Sequence, residues 1–240
     1  MIWLFDLDNT LHDASHSIFP RISRNMNEFI AKIIGSGERE VLPEEVNTLR
    51  LAYWRRYGAT LLGMVRHHDV GVDDFLRETH RFDDLNAMIR AERGLGRFLK
   101  RLPGRKILLT NAPEKYSRDV MRHLGLHRHF ARHIAIESMR VHGKLRPKPS
   151  RHLIRKLLAR EKIPASRCIL VEDTAKTLKA AKAIGLKTAL VTQYLGSHRK
   201  PDIDAANMRQ PRHVNRPAYV DVKVSSVRQL PGHLERLREK

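Results

Sequence analysis

The sequence predicts an α/β fold: a doubly wound parallel sheet interrupted by an inserted, all-helical segment. Three observations predict it. Short apolar runs rich in branched residues alternate with amphipathic helical patterns along 94–192. The first run, Ile2–Phe5, emerges directly into Asp6 and Asp8, and open parallel sheets bind ligands beyond the carboxyl ends of their strands. Between residues 13 and 93 the alternation gives way to helical periodicity. The expected division is a core of 1–12 and 94–240 with a helical cap of 13–93.

The elements follow in order. Strands are expected at 2–5, 106–109, 133–136, 168–171 and 188–191, each bounded by turn residues or charges. Leu95, Phe98, Leu99 and Leu102 keep helical spacing, and Pro103-Gly104 ends that helix. Tyr116, Val120, Met121 and Leu124 repeat the pattern up to Gly125. Ser150 can cap a helix carrying Leu153, Ile154, Leu157 and Leu158, and 175–184 forms another closed by Gly185. Inside the insertion, Ile18, Ile22, Met26, Phe29, Ile30 and Ile33 make one apolar face. Val46, Leu49, Tyr53, Trp54 and Tyr57 make a second, with Pro43 in its first turn. Further short helices are expected in 58–70 and 73–80. Residues 196–217 read as a basic loop, 218–224 as an edge strand and 230–237 as a closing helix.

At 240 residues the chain can bury a real core. Lys and Arg number 46 against 26 acids, so the net charge of +20 admits an anionic partner. These residues are scattered over helices and loops and form no recognisable nucleic-acid module. The expected partner is therefore a small anionic substrate, with neither nucleic acid nor membrane. No apolar span is long enough for a membrane helix, and acids follow the first apolar run too soon for a signal peptide. The single cysteine, Cys168, cannot close an internal disulfide, so a cytoplasmic setting is expected.

The chemistry collects at strand ends. The first strand ends at Asp6, Asp8 and Thr10, the second at Thr110-Asn111, and the fourth at Glu172-Asp173-Thr174. Acids so close together repel unless a cation lies among them. An oxygen-only donor set favours a hard ion, and Mg2+ suits sites of few carboxylates beside phosphate. Lys148, restrained between Pro147 and Pro149, is an available basic counterpart, with Lys144 and Arg146 competing. Duller roles stay open: Thr110 as a helix cap, Glu172 as a residue outside the inner shell, Cys168 as packing.

In this order, Asp6-Leu7-Asp8-Asn9-Thr10, Leu109-Thr110-Asn111, Lys148 and Glu172-Asp173 resemble the four motifs of the haloacid dehalogenase-like hydrolase superfamily. The resemblance covers 1–12 and about 94–192, and the insertion falls where that superfamily carries its first type of cap. It implies a Rossmann-like core. It implies Asp6 as a nucleophile forming an aspartyl-phosphate, and Asp8 as the acid and then the base. It implies Mg2+ held by Asp6, the Asp8 carbonyl and Asp173, with Glu172 acting through water. Thr110, Asn111 and Lys148 would bind the phosphoryl group.

The insertion, through Tyr53-Trp54-Arg55-Arg56-Tyr57-Gly58 and Thr60-Leu61-Leu62-Gly63, resembles the pyrimidine 5'-nucleotidase branch. Thr110-Asn111-Ala112-Pro113 and Arg146-Pro147-Lys148-Pro149 agree with it, while Glu172 and Thr177 depart from it. The implied activity is Mg2+-dependent hydrolysis of a nucleoside 5'-monophosphate, pyrimidine first. Tyr57 and Arg66 would face the substrate, with Tyr53, His67 and His68 as further possibilities. Two alternatives stand beside it. One is a phosphatase or phosphotransferase for a sugar phosphate or phosphoglycolate. The other is a basic nucleic-acid or partner-binding protein on the same fold.

Overall fold

Branched apolar runs with no polar alternation suit strands buried on both faces, and the sheet uses them so. The computed structural model describes residues 1–35, 41–195 and 216–238. Its described strands are β1 (Ile2–Phe5), β2 (Arg105–Leu109), β3 (Arg132–Ile134), β4 (Arg140–Val141), β5 (Lys144–Leu145), β6 (Cys168–Glu172), β7 (Lys187–Val191) and β8 (Val222–Val224). β4 and β5 form a small antiparallel hairpin. The other six make one parallel sheet in the order β3-β2-β1-β6-β7-β8. The chain leaves β1 toward β2 and β3, then returns to build β6, β7 and β8 on its other side. The order therefore reverses at β1, and open α/β sheets bind ligands beyond the strand ends at such a reversal. Phe5 is level with both Leu108 and Val171, so the residues after these three strands come out side by side.

The described chain falls into two compact units. One gathers Met1–Ser15 and the described chain from Ile89 onward, and the other is His16–Met88.

The second unit is helical: α1 (Ile18–Ile34), α2 (Pro43–Tyr57), α3 (Thr60–His67), α4 (Val72–Thr79) and the single turn α5 (Leu85–Met88). Ile18, Ile22 and Ile30 of α1 are buried, and Asn25 joins them. The Asn25 amide donates to the carbonyls of Thr79 (3.1 Å) and Arg81 (2.9 Å), so it satisfies the end of α4. Ile33, expected on this face, is 40% exposed because it lies in the last turn, beyond the packed part. In α2 Pro43 occupies the first turn and Gly58 closes the helix at φ +83°. Its buried residues are Val46, Arg50 and Leu51, whereas Leu49, Tyr53, Trp54 and Tyr57 are half-buried.

In the first unit, α6 (Leu95–Arg101), α7 (Glu114–His123), α8 (Arg151–Arg160) and α9 (Ala175–Lys182) cover the sheet, and α10 (Leu234–Arg238) ends the described chain. Leu153, Ile154, Leu157 and Leu158 of α8 pack with Leu178 and Ala181 of α9 on Leu4, Ile107, Leu109, Leu170 and Leu190. Each such side chain contributes about 1.5–3 kcal/mol by leaving water. Ser150 caps α8 as expected, accepting the Leu153 N–H at 3.2 Å.

Apart from shifts of one or two residues at other ends, three elements depart from expectation for a local reason. β3 stops at Ile134, because Ile136–Ser138 turn into a 3-10 helix. Of 218–224 only Val222–Val224 is strand, since Asp221 is tied to Thr188 before the ladder begins. The closing helix starts as a 3-10 turn, Val227–His233, which contains Pro231, a residue with no N–H for an α-helical bond. Residues 196–215 of the expected basic loop lie outside the described residues.

Candidate active site

β1 ends against its neighbour. The Asp6 N–H donates to the Val171 carbonyl at 3.0 Å, so Asp6 is still held at the sheet edge. The chain then turns: Thr10 and Leu11 N–H both bond the Leu7 carbonyl, at 3.2 and 2.8 Å. The turn passes through Asn9 at φ +58°, a left-handed conformation that asparagine tolerates better than most residues. Ser15 locks it, with its N–H on Asn9 Oδ1 (3.1 Å) and its hydroxyl accepting from Asn9 Nδ2 (2.8 Å). The turn sends Thr10 back to Asp6, and its hydroxyl donates to Asp6 Oδ2 at 3.2 Å.

Lys148 reaches the same carboxylate. Its Nζ lies 2.6 Å from Asp6 Oδ1 and 2.8 Å from Glu172 Oε2. The side chain is buried, as are both acids. Asn111, just past β2, fixes the lysine's backbone from both sides. Its Oδ1 accepts the Lys148 N–H at 2.9 Å, and its Nδ2 donates to the Lys148 carbonyl at 3.0 Å. Lys144 and Arg146, the competing cations, are exposed. Asp173 completes the group, with the Thr174 hydroxyl donating to it at 3.1 Å.

One carboxylate oxygen from each of Asp6, Glu172 and Asp173 lies within 4.8 Å of the others. Burial, and then the charge of Glu172, push the Asp6 carboxyl up to about 7 against the pull of Lys148. Burial, then Glu172 and Asp6, raise Asp173 well above the usual carboxylate range. Burial works against the Lys148 ammonium, but Asp6 and Glu172 outweigh it and hold the amine above its ordinary range. One ammonium cannot balance three clustered acids, which is why, beyond burial, two of them are pushed up, and all the converging donor atoms are oxygens. That donor set fits a hard divalent cation.

Asp8, whose charge also pushes the Asp6 carboxyl up, is held by partners of its own. Tyr116, on α7, donates its hydroxyl to Asp8 Oδ1 at 2.7 Å. His12 Nε2 lies 2.8 Å from the same oxygen, one helical turn along the chain. Burial, then the Asp8 charge, raise the Tyr116 phenol well above its usual value, so it remains a donor.

Thr110 is buried next to Asn111. Its N–H bonds the Ile134 carbonyl at 3.0 Å, and its hydroxyl accepts the Ala112 N–H at 3.1 Å. It does not cap α7, whose capping position is Pro113. Cys168 is a fully buried core residue.

The family model described as haloacid dehalogenase-like hydrolase matches residues 2–185. The chain belongs to the haloacid dehalogenase-like hydrolases. Solved structures share the fold of this hydrolase at low identity. A HAD phosphatase from Thermococcus onnurineus superposes with a TM-score of 0.61 at 14% identity, covering 99% of each chain. CbbY from Rhodobacter sphaeroides, in complex with phosphate, gives 0.59 at 21% identity over 95% of each chain. L-2-haloacid dehalogenase from Xanthobacter autotrophicus, with chloropropionic acid covalently bound, gives 0.54 at 16% over 98% of each.

The remaining expected residues of this hydrolase, Tyr57 and Arg66, lie in the helical unit. The Arg66 guanidinium is 5.9 Å from the Tyr57 ring centre, and Arg56 is 5.5 Å from it. Tyr57 Oη pairs with His67 Nε2 at 2.6 Å, and Tyr53 Oη with His68 Nε2 at 2.8 Å. Sequence reasoning missed His12 and Tyr116. His12 stands four residues after Asp8, which was a usable signal, but Tyr116 read only as one member of an apolar helix face. No described helix is long and apolar enough to cross a membrane.

Proposed function

We propose that this hydrolase is a Mg2+-dependent phosphomonoesterase working through an aspartyl-phosphate on Asp6. The contact between Lys148 and Asp6 carries the reading: a buried carboxylate is kept beside a cation, at the edge of the sheet where its strand order reverses. Lys148 and Thr10 orient the two Asp6 oxygens, and Lys148 offsets charge as a phosphoryl group arrives. An Asp6 oxygen bonds to phosphorus while the ester oxygen leaves with a proton from Asp8. Asp8 then takes a proton from water, which attacks the same phosphorus and frees Asp6 and phosphate. Thr110 and Asn111 stand at the end of β2, beside the Asp6 strand, as the phosphate-binding pair.

The residues proposed to hold Mg2+ are Asp6, Asp173 and the Asp8 carbonyl, with Glu172 through water. When bound, the ion supplies positive charge that draws phosphoryl oxygens and offsets the repulsion among the acids. The separate acid at Asp8 supports ester hydrolysis over dehalogenation, because an alkoxide leaving group needs a proton and a halide does not.

The proposed substrate is a nucleoside 5'-monophosphate, pyrimidine first. The support is the pairing of an aromatic ring with guanidinium groups at Tyr57, Arg56 and Arg66, chemistry that suits a base and an anionic group. Phosphate release from UMP, CMP, sugar phosphates and phosphoglycolate, with Mg2+ and with EDTA, tests both levels. Mg2+-dependent release with UMP and CMP ahead supports the full reading. A preference for sugar phosphates removes the nucleotide assignment and keeps the phosphatase. No release from any ester removes both.

A further inference from the structure

Asp8 Oδ1 receives two contacts of hydrogen-bond length, from Tyr116 Oη at 2.7 Å and His12 Nε2 at 2.8 Å. Both partners are buried, at 3% and 0% exposure, so water does not compete with them. An ionised carboxylate only accepts, so with Asp8 ionised the His12 ring must carry its hydrogen on Nε2. His12 Nδ1 has no hydrogen-bond partner among the described residues, which agrees with the hydrogen being on the other nitrogen. A carboxylate oxygen offers about two lone-pair sites. With both donors in place, Oδ1 has no room for a proton.

We propose that Tyr116 and His12 are positioning residues that saturate Asp8 Oδ1 and so make Oδ2 the oxygen that exchanges the proton with the ester. The inference rests on the phosphatase reading and deepens it. Tyr116 comes from α7 and His12 from the turn after β1, so two separate elements fix the rotation of one carboxylate. The step balances simply: Oδ2–H passes its proton to the departing ester oxygen as the bond from phosphorus to that oxygen breaks, and Oδ2 later takes one from water.

The test is a series of aryl phosphates with increasingly basic leaving groups, from p-nitrophenyl to phenyl phosphate. A good leaving group departs as an anion with little help from an acid, and a poor one needs the proton. Tyr116→Phe is expected to lower kcat/KM for phenyl phosphate on the order of tenfold more than for p-nitrophenyl phosphate, a part of the roughly 10²–10⁴-fold that general acids supply. His12→Leu is expected to steepen the dependence in the same way. His12→Gln, which puts an amide N–H near the position of Nε2, restores the shallow wild-type dependence. Melting curves identify any variant that fails to fold, and the remaining variants then decide. An active wild type whose Tyr116→Phe and His12→Leu variants lose the same factor on every ester, or lose nothing, overturns the inference alone. A wild type inactive on the whole series overturns the phosphatase reading and the inference together.

Discussion

Lys148 Nζ lies 2.6 Å from Asp6 Oδ1, so the Asp6 carboxylate is buried as one half of an ion pair. Glu172 shares the same ammonium at 2.8 Å. Lys148 thus holds together two acids that would otherwise repel in a dry site.

Lys148→Met removes that cation and leaves Asp6, Glu172 and Asp173 facing one another. Breaking a buried pair by deleting one partner costs about 3–5 kcal/mol. We expect a loss of that order in urea unfolding without Mg2+, and partial recovery when Mg2+ is added. Phosphate release is expected to fall at least about 10²-fold, the scale of removing one charge-stabilising donor.

Asp6→Asn has the opposite effect on the metal-free protein. Burial raises the Asp6 carboxyl from 3.8 to about 7, so the folded state disfavours its charge. That cost is absent below pH 3.8, grows as pH rises toward 7, and is constant above. The variant should therefore melt a few degrees above wild type at pH 8 with EDTA present, since about 1 kcal/mol moves Tm by about 2–4 °C at this length. The gap should close as pH falls toward 4. Activity should be lost. Differential scanning calorimetry at the two pH values checks the sign.

Asp221 gives the converse pH behaviour. Burial would raise its carboxyl, but Lys182 at 2.6 Å and the N–H and hydroxyl of Thr188, at 2.9 and 3.0 Å, outweigh that and lower it. A depressed carboxyl contributes stability that is present above its unfolded value and lost as pH falls through the folded one. Asp221→Asn should cost about 1–2 kcal/mol at pH 7, from weaker hydrogen bonds at the start of β8. The difference from wild type should shrink in chemical unfolding near pH 3.

Gly63 marks a close approach within the helical unit. A Cβ built there would lie 2.2 Å from Tyr53 Cγ. Gly63→Ala must push the Tyr53 ring away, at a cost of about 1–3 kcal/mol. It should also disturb the Tyr53–His68 bond, which a shift of the His68 ring resonances by NMR would report.

The sequence showed the sheet because its strands are buried on both faces, and unbroken apolar runs are hard to read otherwise. It showed Asp6, Glu172 and Asp173 because strand ends are local features, whereas the choice of Lys148 over Lys144 and Arg146 came mainly from the family resemblance. It did not show that Lys148 would touch Glu172, since the two are 24 residues apart and meet only through the fold. Tyr116 was hidden for a related reason. A tyrosine at helical spacing looks like packing, and its hydroxyl becomes informative only when α7 brings it to Asp8. The 3-10 ending at Val227–His233 was legible in principle, because Pro231 lies inside the expected helix.

The central claim is a covalent bond between Asp6 and phosphorus. In Asp8→Asn the base for the second step is gone, so an intermediate formed from p-nitrophenyl phosphate, whose leaving group needs no acid, should accumulate. Acid quenching within the first turnover, followed by peptide mass spectrometry, should find one phosphoryl group on the peptide bearing Asp6. Wild-type enzyme that releases phosphate while Asp6→Asn remains active, with no phosphorylated Asp6 peptide in Asp8→Asn, would contradict the account.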